Sequence, residues 1–125
     1  MTGSLRHISV EKREDVCIVR IRDHRMLEAD MIEMADEVVG LIEDRGCRKL
    51  VLCLGPGEVV CLYSVFLAKL VMIRRHVLEK GGVLRIAEAN ENTLNVFRAC
   101  DLDKLLSFVP NVDTALAELT KIAIS

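Results

Sequence analysis

Ser64 has the setting that most invites chemistry. An apolar run, Leu50 to Leu54, feeds the turn Gly55-Pro56-Gly57, and an extended apolar path, Val59 to Leu62, leads to Ser64 and a helix behind it. A hydroxyl at that point can accept a hydrogen bond from a first-turn N–H, so Ser64 is expected to be the N-cap. The free N–H groups and partial positive charge of a helix start also favour a phosphate. A phosphoryl group there adds about −1.5 to −2 charge, enough to switch a protein contact. The other reactive types lead nowhere comparable. Cys61 lies two residues before the helix among apolar neighbours and reads as core rather than as a lowered-pKa thiol. Asp23 and His24 are adjacent in a loop, which is not a catalytic dyad. No Gly-rich nucleotide loop and no serine nucleophile elbow is present, so no catalytic residue is expected. His7, His24 and His76 are scattered, and the cysteines contain no C-x-x-C pair, so neither a metal site nor a cofactor is expected.

The elements that must position Ser64 follow from periodicity and punctuation. Leu5 to Val10 reads as an edge strand, and Val16 to Arg22 as a second strand with Cys17, Val19 and Ile21 on one face. Asp23 to Ala29 is a loop. Asp30 is expected to cap a first helix, with Glu33 at capping-box spacing. Met31, Met34, Ala35, Val38, Leu41 and Ile42 recur at helical spacing, and Gly46 ends the helix. Leu50 to Leu54 lacks polar alternation, as expected of a central parallel strand.

The helix at Ser64 should run to about Lys80, with Phe66, Leu70, Ile73 and Val77 as its apolar stripe. Leu67, Val71 and Leu78 widen that stripe, while Lys69, His76 and Lys80 line the other side. Gly81-Gly82 closes the helix. Val83 to Ala87 is a strand, Asn90 caps a short helix to about Cys100, Leu105 to Val109 is a last strand, and Asn111 caps a terminal helix. The succession β-β-α-β-α-β-α-β-α makes one α/β domain over residues 5–122, preceded by a loose leader at residues 1–4.

Composition excludes several classes of function. The chain has 125 residues, a formal net charge of −2 and 51% hydrophobic residues. Ample apolar surface excludes disorder. Near-balanced charge and 3% aromatics argue against direct nucleic-acid binding, which needs basic surfaces or stacking platforms. The apolar stretch Val59 to Ile73 is shorter than the roughly 20 residues of a membrane span and contains Lys69. No long apolar signal segment opens the sequence, and five cysteines without a disulfide pattern suit a reducing compartment. The expected location is the cytoplasm, without membrane association.

The ordered landmarks resemble the STAS domain, the family of bacterial anti-sigma factor antagonists, over about Leu5 to Leu119. Val16 to Arg22 with Asp23-His24-Arg25-Met26-Leu27 resembles its second strand and loop. Leu50 to Leu54 followed by Ser64 to Leu70 resembles the strand and helix start, and Lys80-Gly81-Gly82-Val83-Leu84 the next helix end and strand. Val96-Phe97 with Asp101 to Leu106, and Asp113 to Leu119, resemble the closing segments.

The resemblance implies a small mixed sheet of about five strands with about four helices, mostly on one side. It implies a non-enzymatic module that binds an anti-sigma factor, often a serine protein kinase, and so frees a sigma factor. Phosphorylation at the start of the second helix blocks that binding in the family. The family pattern there is Asp-Ser-Ser/Thr-Gly, and this chain reads Tyr63-Ser64-Val65-Phe66. Ser64 is thus the phosphorylation candidate, with Asp23, Gly57, Tyr63, Val65 and Lys69 as candidate partner contacts. The altered motif keeps a second reading open: a constitutive scaffold of the same fold, compatible with a homo-oligomer.

Overall fold

The computed structural model describes residues 2–22, 25–55 and 63–123; the side chains of residues 2–4 and 63 lie outside the description. Asp23, His24, Gly57 and Cys61 lie outside it entirely. The elements are β1 (Thr2–Ser4), β2 (Ile8–Arg13), β3 (Val16–Ile21), α1 (Glu28–Glu43), β4 (Lys49–Cys53), α2 (Tyr63–Glu79), β5 (Val83–Ala87), α3 (Glu91–Ala99), β6 (Phe108–Val109) and α4 (Val112–Leu119).

The strands lie in the order β1-β2-β3-β4-β5-β6, so the sheet follows the chain. β1, β2 and β3 pair antiparallel, whereas β3 through β6 pair parallel. Parallel crossovers are right-handed. Three successive crossovers stepping the same way must therefore put α1, α2 and α3 on one face. The core agrees. Cys17, Val19, Leu50, Leu52, Leu84 and Ile86 pack with Met31, Met34, Leu41, Phe66, Leu70, Ile73 and Phe97. On the other face Val16, Ile18, Val51, Cys53 and Ala87 meet Val112, Ala115 and Leu119 of α4. β4 is buried throughout, as its unbroken apolar run requires.

Local signals hold where they are purely local. The expected α1 stripe, Met31, Met34, Ala35, Val38, Leu41 and Ile42, is the set of residues α1 buries. Asn90 and Asn111 each accept a bond at 2.8 Å, from Thr93 N and Thr114 N. α2 ends in a Schellman motif: Gly82 N–H donates to Val77 O at 2.9 Å and Gly81 N–H to Leu78 O at 3.0 Å. Gly81 takes the φ of +73° that this motif needs and that L side chains avoid.

Other expectations shift. Thr2–Ser4, expected to be loose, pairs with Ser9–Glu11 and adds a sixth strand to a sheet expected to have about five. The first full strand is Ile8–Arg13 rather than Leu5 to Val10. α1 begins at Glu28, so Asp30 is not the N-cap; it sits inside the first turn and accepts from Leu27 N–H at 3.0 Å. β6 is two residues long, Phe108–Val109, rather than Leu105 to Val109. Leu78 and Leu105, expected to be in the α2 stripe and the last strand, are exposed.

Candidate functional site

β3, β4, β5 and β6 run parallel, so everything that follows their C-terminal ends gathers at one end of the sheet. That end carries the start of α1, Gly55, the start of α2, and Glu88 to Asn90. Crevices at the carboxyl ends of parallel strands are the usual place for recognition in open α/β sheets.

α2 begins at Tyr63, which places Ser64 inside the first turn rather than at the N-cap. Ser64 is exposed, Val65 and Lys69 are half-buried, and Phe66 is fully buried. The apolar stripe explains this pattern: Phe66, Leu70, Ile73 and Val77 face the sheet, which turns Ser64 outward. No acidic residue stands in the first turn of α2 to offset the positive end of its dipole. The hydroxyl is therefore presented to solvent at the end of the helix where added negative charge is best tolerated.

α1 supplies the other half of the site. Glu43 of α1 accepts from His76 at 3.1 Å and pairs with Lys80 at 3.3 Å, which sets the two parallel helices in register. Ile32 and Val65 each stand eleven residues, about three turns, before Glu43 and His76 on their own helices, toward the end of the sheet that carries Ser64. Val65, Lys69 and His76 fall on one side of α2, the side that meets Glu43. Ile32 is 40% exposed and Leu27, just before α1, is 73% exposed. Of the described residues, only two other large apolar side chains are comparably open, Leu78 and Leu105. Ser64 and the exposed apolar pair Leu27 and Ile32 thus lie at the same end of the sheet, a composition suited to a protein contact.

The floor of the site is held by contacts that sequence reasoning did not anticipate. Arg20 reaches Glu88 at 3.4 Å, and Leu54 N–H donates to Ala87 O at 3.0 Å. Glu88 adopts a φ of +62°, uncommon for a residue with a side chain. Its carbonyl and Cβ press on Gly55, the residue that opens the Gly-Pro-Gly turn. In the sequence Gly55 read as the start of a turn whose next residues lie outside the description; its neighbour Glu88, about thirty residues away, carried no local signal.

Of the described thiols, Cys53 lies at the end of β4 near Arg20 and Glu88. Cys17, Cys47 and Cys53 are buried, and Cys100 is exposed. A hydrogen bond from Cys17 lowers Cys47 to about 7 and raises Cys17, while burial pushes Cys53 up to about 12. Among the described residues no three metal-ligating side chains cluster, and no helix is long and apolar enough to cross a membrane. Of the expected contacts, Ser64, Val65 and Lys69 share the first two turns of α2, and Tyr63 opens that helix.

Solved structures with this arrangement decide the fold. A candidate anti-sigma factor antagonist from Thermotoga maritima superposes with a TM-score of 0.79 at 18% identity, covering 91% of this chain and 95% of that one. An anti-sigma-factor antagonist (STAS) domain protein from Planctomyces limnophilus gives 0.78 at 17% identity, over 91% and 98%. The fold is the STAS fold. The Bacillus cell-fate determinant SpoIIAA in its phosphorylated form shares it with a TM-score of 0.66 at 9% identity, over 89% and 97% of the two chains. No family model matches this sequence, and neither does any curated protein. With so little shared sequence, the STAS likeness is carried by the six-stranded sheet and its helices rather than by a conserved motif.

Proposed function

We propose that this protein is a non-enzymatic, cytoplasmic binding module that antagonises an anti-sigma factor, and that phosphorylation of Ser64 switches it off. The partner is an anti-sigma factor, of the serine protein kinase type, which it engages with the end of the sheet that carries Ser64. The observation that carries this reading is the exposure of Ser64 in the first turn of α2, at the end of the sheet where α1 also begins with the open side chains of Leu27 and Ile32. In this reading the partner seats on this end of the sheet and covers Ser64. A phosphate at Ser64 then buries a dianion in an apolar contact, which weakens binding. Asp23, Gly57, Tyr63 and Lys69 complete the proposed contact surface. The STAS neighbours support the reading, since two are described as anti-sigma factor antagonists and a third exists in a phosphorylated form.

One observation favours the alternative of a constitutive scaffold. Phe66, which stands where the family pattern has glycine, is a fully buried core residue, so the local motif is committed to packing. Affinity capture from the native host with wild-type, Ser64→Ala and Ser64→Glu baits separates the two. An anti-sigma factor or kinase recovered by wild type and Ser64→Ala but lost from Ser64→Glu supports the switch. Equal recovery by all three baits rejects it in favour of the scaffold.

A further inference from the structure

Leu78 and Leu105 are 47% and 36% exposed and line one groove, at the end of the sheet opposite Ser64. Arg74, Gly82, Leu84, Arg85 and Ser107 complete a cavity of about 170 Å³. That is too small for a cofactor or drug-sized ligand, which needs about 300–1,000 Å³. It is open to one apolar side chain entering from a larger partner.

The backbone and the charges define what that partner must be. The β5–β6 ladder begins only at Ile86, whose N–H donates to Ser107 O at 2.9 Å. Val83 N–H donates the other way, to Arg48 O at 2.7 Å. Alternation along β5 therefore points the Leu84 N–H toward the β6 side, one step before the ladder starts, with no strand beside it. The Leu84 carbonyl is taken by the Arg85 guanidinium at 3.1 Å, which leaves the N–H as the open group of that edge. Arg85 also holds Glu118 at 2.7 Å. Arg74 is half-buried on the rim and makes no ion pair or side-chain hydrogen bond among the described residues. An unpaired guanidinium, an open edge N–H and two bare leucines together ask for carboxylates around an apolar anchor.

We infer that this groove docks an extended acidic segment of a partner protein, which sets an apolar side chain between Leu78 and Leu105 and a carboxylate on Arg74. A backbone carbonyl of that segment takes the open Leu84 N–H of β5, just before the pairing with β6 begins at Ile86. The site is independent of Ser64 and of the proposed sigma-factor role. It gives the module a second contact while the first is engaged.

The test uses the full-length 15N-labelled protein and the peptide acetyl-Asp-Leu-Asp-Leu-Asp-amide, with acetyl-Lys-Leu-Lys-Leu-Lys-amide as control. Saturable shifts of the Leu84 and Ser107 amides with the acidic peptide only, weakened about ten-fold by Arg74→Glu, are the expected result. Leu105→Ser, at an exposed position, should weaken binding as well and stands in if Arg74→Glu does not fold. Ser64→Glu should leave it unchanged, which separates this site from the proposed switch. No saturable shift, equal binding of the lysine peptide, or indifference to both groove substitutions overturns the proposal. So do Leu84 shifts that follow protein concentration without peptide, since a second copy would then fill the groove.

Discussion

A Cβ on Gly55 would stand 2.8 Å from both the Cβ and the carbonyl oxygen of Glu88. The two residues follow the ends of neighbouring strands β4 and β5, and Glu88, at a φ of +62°, is tied to Arg20. Neither backbone can retreat without breaking the Leu54–Ala87 bond beside them. Gly55→Ala should therefore cost about 1–3 kcal/mol through overpacking, measured as a lower urea midpoint at unchanged slope.

Charge at Ser64 should separate binding from stability. A carboxylate in the first turn of α2 meets the positive end of the helix, so Ser64→Glu should leave the fold unharmed or stabilise it by about 0.3–1 kcal/mol. Partner binding should fall in the same variant. Thermal melts beside binding assays check this, and a marked drop in Tm for Ser64→Glu would count against Ser64 lying exposed at the helix start.

Phe66 is buried to 0% exposure, beside a serine that is open to solvent. Phe66→Ala should cost about 3–5 kcal/mol, a large share of the roughly 5–15 kcal/mol that holds a domain folded. Denaturant titration gives the value. A cost below about 1 kcal/mol would mean that the side chain is not in the core.

Acid should act first through two carboxylates. The hydrogen bond from the buried Lys49 holds Asp15 below its ordinary 3.8, and His76, followed by Lys80, holds Glu43 below 4.5. Because both pKa values fall on folding, their contribution is complete above the unfolded values. It disappears as pH drops through the folded ones, below 3.8 for Asp15. Urea midpoints measured from neutral pH downward should decline in that range. Asp15→Asn should flatten the decline and lower the neutral plateau, since Lys49, 4% exposed, loses its carboxylate partner.

How far the site was legible depended on the distance over which each signal acts. Phe66 and the stripe behind it were readable because the helical repeat alone sends Phe66, Leu70, Ile73 and Val77 to one side. That same repeat put Leu78 at the edge of the stripe, where the tertiary surroundings left it open. Asp30 carried a capping signal, but the N-cap falls three residues earlier, at Leu27. Leu105 had the composition of a strand, but only Phe108 and Val109 pair with β5, and the ladder starts at Ile86.

By itself the sequence determined the elements that short-range physics governs: the α1 stripe, the asparagine caps of α3 and α4, the Gly81-Gly82 stop and the doubly buried β4. Each depends on neighbours within about one or two turns, so periodicity and cap chemistry suffice. Only the tertiary structure decided that β1 extends the sheet, that Glu43 of α1 meets His76 of α2, that Glu88 closes on Gly55, and that Leu78 and Leu105 line one groove. Those relationships depend on strand order, on the register of α1 against α2 and on where the β5–β6 ladder begins. They join residues far apart in the chain, and no local repeat encodes them.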